Sequence, residues 1–468
     1  MFNPVEAFRR YAAKHGYLTA PVKSERMPTG IPYIVGNEGA ERFSYYGMRA
    51  ILVIFMTQYM MGRNGLPDHL NEMQAKVWFH NFVSAVYFLP LIGAIVADAF
   101  FGKYRTIIWL SLVYCGGHLA LALDDSRNGL LLGLTLIAIG AGGIKPCVSA
   151  NVGDQFGQSN SHLLPKVFNW FYAAINSGSA ISTVLIPIIL DKYGPHYAFA
   201  IPGFLMLIAT VIFWMGRKKF VHIPPGGMQF IKETFNAESL RVIRRLAVLY
   251  IFIAVFWALF DQTSSSWVFQ AQHMDRHFLF WELLPSQFQV INPAMVVVFI
   301  PIFTLLIYPA LNKFYRLTAL RKIGIGFFLA VPSFLIPAWI EMRIGRGEHP
   351  SIGWQVLAYA FITAAEVLIS ITGLEFSYTQ APKRLKSFIM GVFLCSTTIG
   401  DLFVSFVNIF IQNPDGSSKL PGEQYYLFFA GLMLLSAITY ALVSPFFKVH
   451  TVVQDEAPEA TQQPATAT

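Results

Sequence analysis

The sequence is poor in charge. Only 13% of its 468 residues are Asp, Glu, Lys or Arg, against roughly 25% in a soluble globular chain. A chain of this length has too little polar surface to cover itself in water. Cysteine is scarce as well. Cys115, Cys147 and Cys395 are the only three, each lies in an apolar stretch, and an odd count gives no disulfide framework. No metal-ligand cluster and no nucleophile paired with a base can be picked out, so no enzymatic chemistry and no cofactor are expected. The glycines before Lys145 have the wrong spacing for a phosphate-cradling loop. Ahead of residue 35, Arg9, Arg10, Lys14, Lys23 and Arg26 occur without an apolar core, so no secretory signal is expected there. Glu6 and Glu25 weigh against a mitochondrial presequence.

What the chain does have is apolar length. Fully 55% of it is hydrophobic and Phe alone accounts for 42 residues. About 20 apolar residues are needed to cross a bilayer core as a helix. Stretches of that kind lie near 40–62, 76–100, 105–123, 129–150, 167–190, 197–216, 244–264, 291–311, 318–341, 353–377, 386–412 and 424–447. The fold class expected is an all-α integral membrane protein with twelve transmembrane helices in two pseudo-symmetric six-helix bundles, the major facilitator arrangement. Basic residues concentrate in alternate connectors, at Lys103 and Arg105, Arg217–Lys219, Arg241–Arg245, Lys313–Lys322 and Lys383–Lys386. That asymmetry places both termini in the cytoplasm, and it accounts for the net charge of +8 without a nucleic-acid partner. The expected organisation is an N-terminal cytoplasmic arm (1–35), a first bundle (36–216), a cytoplasmic linker (217–243), a second bundle (244–448) and a disordered tail (449–468). Nothing in the sequence demands an oligomer, so a monomer is expected.

Ionisable side chains inside apolar helices are costly, about 2.5–3.5 kcal/mol each on insertion scales, and so become functional candidates. In the first helix Glu38, Glu41, Tyr45 and Arg49 follow one another at steps of three, four and four, which stacks them on one face. Such a stripe must line a wet path or a helix interface. Lys145, within Gly140-Ala-Gly-Gly-Ile-Lys145-Pro146, needs an anion, either Glu38 or Glu41 or a substrate carboxylate. Glu366 has no basic residue near it in sequence. It is either a protonated structural acid or a group that meets a substrate cation. Asp261 shares a face with Trp257 and, at the depth of Arg49, would pair with it as an outer gate. His80 shares a face with Tyr87 and is either a structural histidine or a titrating group. Asp98, in Gly93-Ala-Ile-Val-Ala-Asp98-Ala-Phe-Phe-Gly102-Lys103-Tyr-Arg105, lies at a helix end before a glycine turn and basic residues, as a gating loop would have it. Positive groups in one half and a carboxylate in the other suit a zwitterion that bridges the halves and couples binding to their rocking.

These residues resemble the proton-dependent oligopeptide transporter family of the major facilitator superfamily. Glu38-x-x-Glu41-Arg42-Phe-Ser-Tyr-Tyr-Gly is similar to the family's ExxER motif. The run ending in Lys145-Pro146 is similar to its helix-four signature, Phe171-Tyr-Ala-Ala-Ile-Asn176-Ser-Gly-Ser to that of helix five, and Gly373-Leu-Glu375-Phe-Ser-Tyr378 to that of helix ten. The resemblance implies a proton-coupled symporter that imports di- and tripeptides across the bacterial inner membrane. It implies a coupling network of Glu38, Glu41, Arg42, Lys145 and His80. Arg49 and Lys145 would hold the peptide carboxylate and Glu366 the amino terminus. Asn176 and Asn292 would bond to the peptide, and Tyr45, Tyr46, Tyr87 and Trp257 would wall the side-chain pockets. Arg49, Asp261 and Asp98 would gate. The linker is too short for the two extra helices of many bacterial members, and helices nine and ten are joined without the large domain of animal members. Two rival readings are a nitrate carrier, which the intact ExxER motif disfavours, and a membrane receptor on the same fold, which would not need Glu41 and Lys145 to titrate.

Overall fold

The computed structural model describes residues 4–278, 280–380, 386–415 and 417–447. Eleven helices among the described residues are long and apolar enough to cross a membrane. The twelfth, Ile31–Gln58, is 28 residues long and carries Glu38, Glu41, Arg42 and Arg49. It is helix one below. Helix two is Glu72–Val96 with a π-helical turn at Ala97–Phe101. Helices three to six are Lys103–Leu123, Arg127–Asp154, Leu164–Tyr193 and Pro195–Met215. Helix seven runs Ala237–Phe260, continues as a 3-10 turn at Asp261–Ser264, and resumes over Ser266–Gln272. Helix eight is Ile291–Ile302 extended to Asn312, and helix nine is Ala319–Ala330 followed by Pro332–Gly345. Helix ten is Gly353–Glu366, then a π-helical turn at Val367–Ile371, then Thr372–Gln380. Helices eleven and twelve are Lys386–Ile411 and Glu423–Val443.

Helix ends depart from the hydropathy reading for one reason. Apolarity marks only the part of a helix that lies in lipid, and the helices run past it. Helix one starts at Ile31, with a proline in its first turn, and not near residue 40, so the stretch set aside as an arm includes its first turn. Helix seven starts at Ala237 and so includes Arg241, which hydropathy leaves in the linker, as well as Arg244 and Arg245. The linker itself holds a short helix, Gly227–Thr234. The arm also holds a helix, Pro4–His15. Its Phe8 and Ala12 are buried and it packs on the π-helical turn at Ala97–Phe101. Lys383, Arg384 and the expected tail lie outside the described residues.

Two large hydrophobic cores form, beside a small third one of Phe303, Val367 and Leu368. One is built mainly from helices one to six, includes Tyr45, Phe55, Phe79, Tyr114 and Phe199, and takes in Val268 and Phe269 of helix seven. The other is built mainly from helices seven to twelve around Phe256, Trp267, Phe327, Tyr359 and Tyr440, with Met73 of helix two joining it. The most extensive contact between the halves is helix two running antiparallel to helix eleven. There Ser84 donates from Oγ to the Thr398 carbonyl at 3.3 Å, and Thr398 returns a bond to the Ser84 carbonyl at 3.2 Å.

Within the first half, helices two and four meet at their glycines. A Cβ on Gly93 would stand 2.6 Å from Gly143 Cα and 2.8 Å from the Gly142 carbonyl. Backbone on backbone at that distance is possible only without side chains, the small-residue contact typical of membrane helices. Gly102 ends helix two at φ +78°, in the left-handed region where a side chain is strained. We expect Gly93→Val to lower the unfolding temperature of the purified protein in detergent, at a cost of about 1–3 kcal/mol from overpacking. Gly431→Ala, which adds a methyl where nothing lies within 4 Å, should leave it unchanged. A scan of thermal unfolding checks both, and equal behaviour of the two variants would refute the close approach.

Candidate functional site

Between the halves lies a cavity of about 210 Å³. Helix one contributes Tyr46 and Arg49 to its wall, helix two Tyr87, and helix five Tyr172 and Asn176. Trp257 comes from helix seven, Asn292 from helix eight and Glu366 from helix ten. Seven of the nine residues assigned to substrate by the sequence therefore share one wall. Tyr45 and Lys145 do not reach it. Tyr45 is fully buried one layer behind, and the Lys145 ammonium sits over the Tyr45 ring at 4.0 Å and the Tyr87 ring at 4.8 Å.

Each side chain has a local reason for its position. Glu366 closes a regular α-helical segment, and the π-helical turn follows directly. Such turns insert an extra residue and redirect what precedes them. Its carboxylate accepts from Asn292 Nδ2 at 2.7 Å, and the same nitrogen reaches Thr363 Oγ1 at 3.0 Å. Asn176 donates to the Tyr172 carbonyl one turn back at 2.8 Å. Asp261 sits where helix seven breaks into the polar run Asp261-Gln-Thr-Ser-Ser-Ser266, residues whose side chains compete for backbone hydrogen bonds.

The charges fall into three groups. Nearest the linker, Asp98 faces Lys103 at 3.9 Å, and Lys103 donates to Asp154 at a shorter 2.7 Å. All three residues belong to the first half, so this contact does not itself join the halves. Asp154 was not anticipated from the sequence. At mid-depth, Arg42 Nε donates to Glu38 Oε1 at 2.6 Å and stands 3.2 Å from Glu41. Both Glu41 oxygens and the Lys145 ammonium are buried without a hydrogen-bond partner. The direct Lys145–carboxylate bond suggested as one option by the sequence is thus not made. The two tyrosine faces solvate the ammonium instead, as aromatic quadrupoles do.

The third group lies at the far end. Arg49 donates from Nη2 to Asp261, joining helix one to helix seven, with both residues buried. Close by, His80 Nδ1 is 2.6 Å from Asp401 on helix eleven, and its Nε2 is 3.0 Å from Ser265 on helix seven. Both His80 and Asp401 have no exposed surface. Sequence reading passed over Asp401, although the rule that flagged Glu366, an acid alone in an apolar helix, applies to it equally. Two further bonds tie the halves at this end. Gln287 donates to the Val184 carbonyl at 3.0 Å and Gln289 to the Ala50 carbonyl at 3.2 Å. The cavity is therefore sealed at the far end. Toward the linker, its wall residue Tyr172 is 46% exposed.

Removing one member of a buried ion pair costs about 3–5 kcal/mol, because the other is left uncompensated, whereas replacing both with apolar groups is close to neutral. Arg49→Met and Asp261→Leu are each expected to lower the unfolding temperature. The double variant should recover at least half of their summed loss. Calorimetry or fluorescence scanning of the cycle checks this, and strict additivity would show that the pair is not coupled.

A family model described as "POT family" matches residues 104–243 and 228–428. Mouse solute carrier family 15 member 2 is 36% identical over 395 residues, which are 74% of this chain and 53% of that protein. Peptide transporter family 1 of Drosophila melanogaster is 37% identical over 369 residues, 69% of this chain and 49% of that one. The chain thus spans about half the length of the curated relatives it matches. Among solved structures, an auto-inhibited POT family peptide transporter superposes with a TM-score of 0.82 at 34% identity, covering 92% of this chain and 99% of the other. The POT family transporter PepTSo gives the same TM-score at 36% identity, covering 90% and 99%. The twelve-helix body, the two packed halves and these matches have one conclusion: the chain is a multi-pass membrane protein of the POT family.

Proposed function

We propose that this protein is a proton-coupled symporter that imports di- and tripeptides by alternating access. The observation that carries the proposal is that Arg49 of helix one and Glu366 of helix ten face the same cavity from opposite halves. A peptide presents a carboxylate at one end and an ammonium at the other, so a single bound molecule would draw both halves together. The guanidinium can take the carboxylate through two parallel hydrogen bonds. Glu366 with Asn292 would receive the amino terminus, and Asn176 the backbone. Tyr46, Tyr87, Tyr172 and Trp257 would supply aromatic walls, which are tolerant of different side chains.

Arg49 is already engaged by Asp261, so a peptide carboxylate would compete with the gate. That competition gives binding a way to loosen the far-end seal. Lys145, held over Tyr45 and Tyr87 and away from the cavity, fits the coupling role better than direct carboxylate binding. Two acids and two bases, Glu38, Glu41, Arg42 and Lys145, form a set in which a proton can replace a cation as the partner of a carboxylate. The proton gradient would drive transport without a cofactor. The location would be the bacterial inner membrane, with both termini in the cytoplasm, the segment at 217–243 as a cytoplasmic linker, and the protein acting as a monomer. Asp98 with Lys103 and Asp154 would steady the cytoplasmic end of the first half.

The test is uptake of di-alanine and tri-alanine into liposomes under an imposed pH gradient. Loss of a hydrogen bond to a charged group costs about 1.5–3 kcal/mol, so Glu366→Gln and Arg49→Ala should each cut uptake at low peptide concentration tenfold or more. Normal uptake by either would sink the zwitterion model. Lys145→Ala and Glu41→Gln are expected to lose gradient-driven accumulation while peptide counterflow survives. Accumulation that persists in both would remove the coupling assignment.

A further inference from the structure

We propose that the groove where the N-terminal arm meets helices two, three and six binds the headgroup of an anionic phospholipid, with Arg105 and Arg217 taking its phosphate. The groove encloses about 820 Å³. It lies at the linker end, apart from the cavity between the halves, and shares no wall residue with it. Its ligand is a membrane component and not a transported molecule.

Helices three and six build the groove between them. They pack side by side, with the Tyr104 and Phe213 rings stacked at 5.7 Å. On helix three, Trp109 follows Arg105 by four residues, one turn deeper into the apolar span. On helix six, Trp214 precedes Arg217 by three, again one turn deeper. Spacings of three and four put side chains on one helical face. Both helices therefore present a guanidinium at the boundary and an indole just inside it. Trp109 and Trp214 are 67% and 48% exposed, and indole rings favour the headgroup level of a bilayer. Phe101 and Ile108 complete an apolar wall along which an acyl chain can lie.

The two guanidiniums lack an anion. Neither Arg105 nor Arg217 forms an ion pair among the described residues, and no acidic residue lines the groove. The acids nearby are engaged elsewhere, Asp98 and Asp154 with Lys103 and Glu6 with Arg10. Ring faces hold the guanidiniums instead. Arg105 lies 3.8 Å from the centre of the Tyr11 ring, and Arg217 lies 3.7 Å from that of Trp214. A guanidinium stacked in this way keeps its N–H groups in its own plane, pointing past the ring edge. Arg217 donates one of them to the Trp214 carbonyl at 2.9 Å, beside the Tyr17 hydroxyl. Arg105 makes no hydrogen bond among the described residues, so its fork is open to the paired oxygens of a phosphate.

Size, charge and place select the ligand class. The volume falls within the roughly 300–1,000 Å³ of organic-ligand sites, far more than a lone phosphate fills. Basic pockets between membrane helices on the cytoplasmic side bind anionic headgroups, and the orientation proposed above puts the groove on that side. A phosphatidylethanolamine would bring its ammonium toward two guanidiniums, and like charges set side by side are costly. A phosphatidylglycerol offers the same phosphate without the ammonium. The arm closes the polar end of the groove, with Tyr11 over Arg105 and Tyr17 stacked on His222 at 4.3 Å. A bound lipid thus pins the arm to helices three and six.

Native mass spectrometry of the full chain, delipidated in detergent and titrated with dioleoyl phosphatidylglycerol, reads the binding. One lipid should bind about fivefold or more tighter than dioleoyl phosphatidylethanolamine, and inorganic phosphate should not displace it. The double variant Arg105→Gln, Arg217→Gln should weaken that lipid about tenfold or more. The double variant Lys313→Gln, Arg316→Gln removes two exposed charges at the same end of the other half and should change it less than about twofold. Equal loss in the two variants, equal binding of the two lipids, or displacement by phosphate overturns the site. Because the arginine variant can misfold, the parent protein carries a second readout. Its amide hydrogen exchange over residues 11–17 and 216–219 should slow about threefold or more when phosphatidylglycerol is added, and unchanged exchange there also overturns the site. Neither readout involves a peptide or a membrane orientation, so a failure of the transport reading would leave both as they are.

Discussion

A charge held among apolar helices has to be answered by another charge, a proton or a ring face, and nearly everything in this structure follows from how each is answered. Arg49 is answered by Asp261 from the other half. Arg42 is answered within its own helix by Glu38 and Glu41. Lys145 is answered by the faces of two tyrosines, and Glu366 by an amide. Of the groups with weak or shared partners, Glu366 lines the cavity and Lys145 stands behind its wall.

This arrangement divides the labour between the two ends of the molecule. At the linker end the ion pair Lys103 with Asp154 stays inside one half. At the far end the bonds run from half to half, through Arg49, His80, Ser84, Gln287 and Gln289. Cross-links of this sort at one end would suit the alternating access proposed above, in which only one end at a time is tied.

Much of this was legible in the sequence. Twelve apolar stretches and the asymmetry of basic residues give the fold class, and the ExxER-like and Lys145-Pro146 motifs give the family. The charged stripe of helix one could be drawn from spacing alone, because a helix fixes which side chains share a face. What sequence could not give was pairing across the halves in detail. Asp401 lies more than three hundred residues from His80, and no local pattern ties them. The ring contacts of Lys145 were not legible for a different reason. Counting charges assigns an ammonium to the nearest carboxylates, whereas packing decided that two aromatic rings stand closer. Helix ends were missed because hydropathy reads the lipid boundary and not the hydrogen-bond ladder.

The π-helical turn after Glu366 sets a rule of phase for helix ten. Each residue turns an α-helix by about 100°. A single-residue deletion within Val367–Ile371 would let the ladder relax to ordinary α geometry. It would swing Glu366 around the axis relative to the segment that begins at Thr372. Conservative exchanges there leave the carboxylate aimed at the cavity, while a change of length by one does not. Helix ten thus tolerates changes of spelling in this stretch but not changes of count.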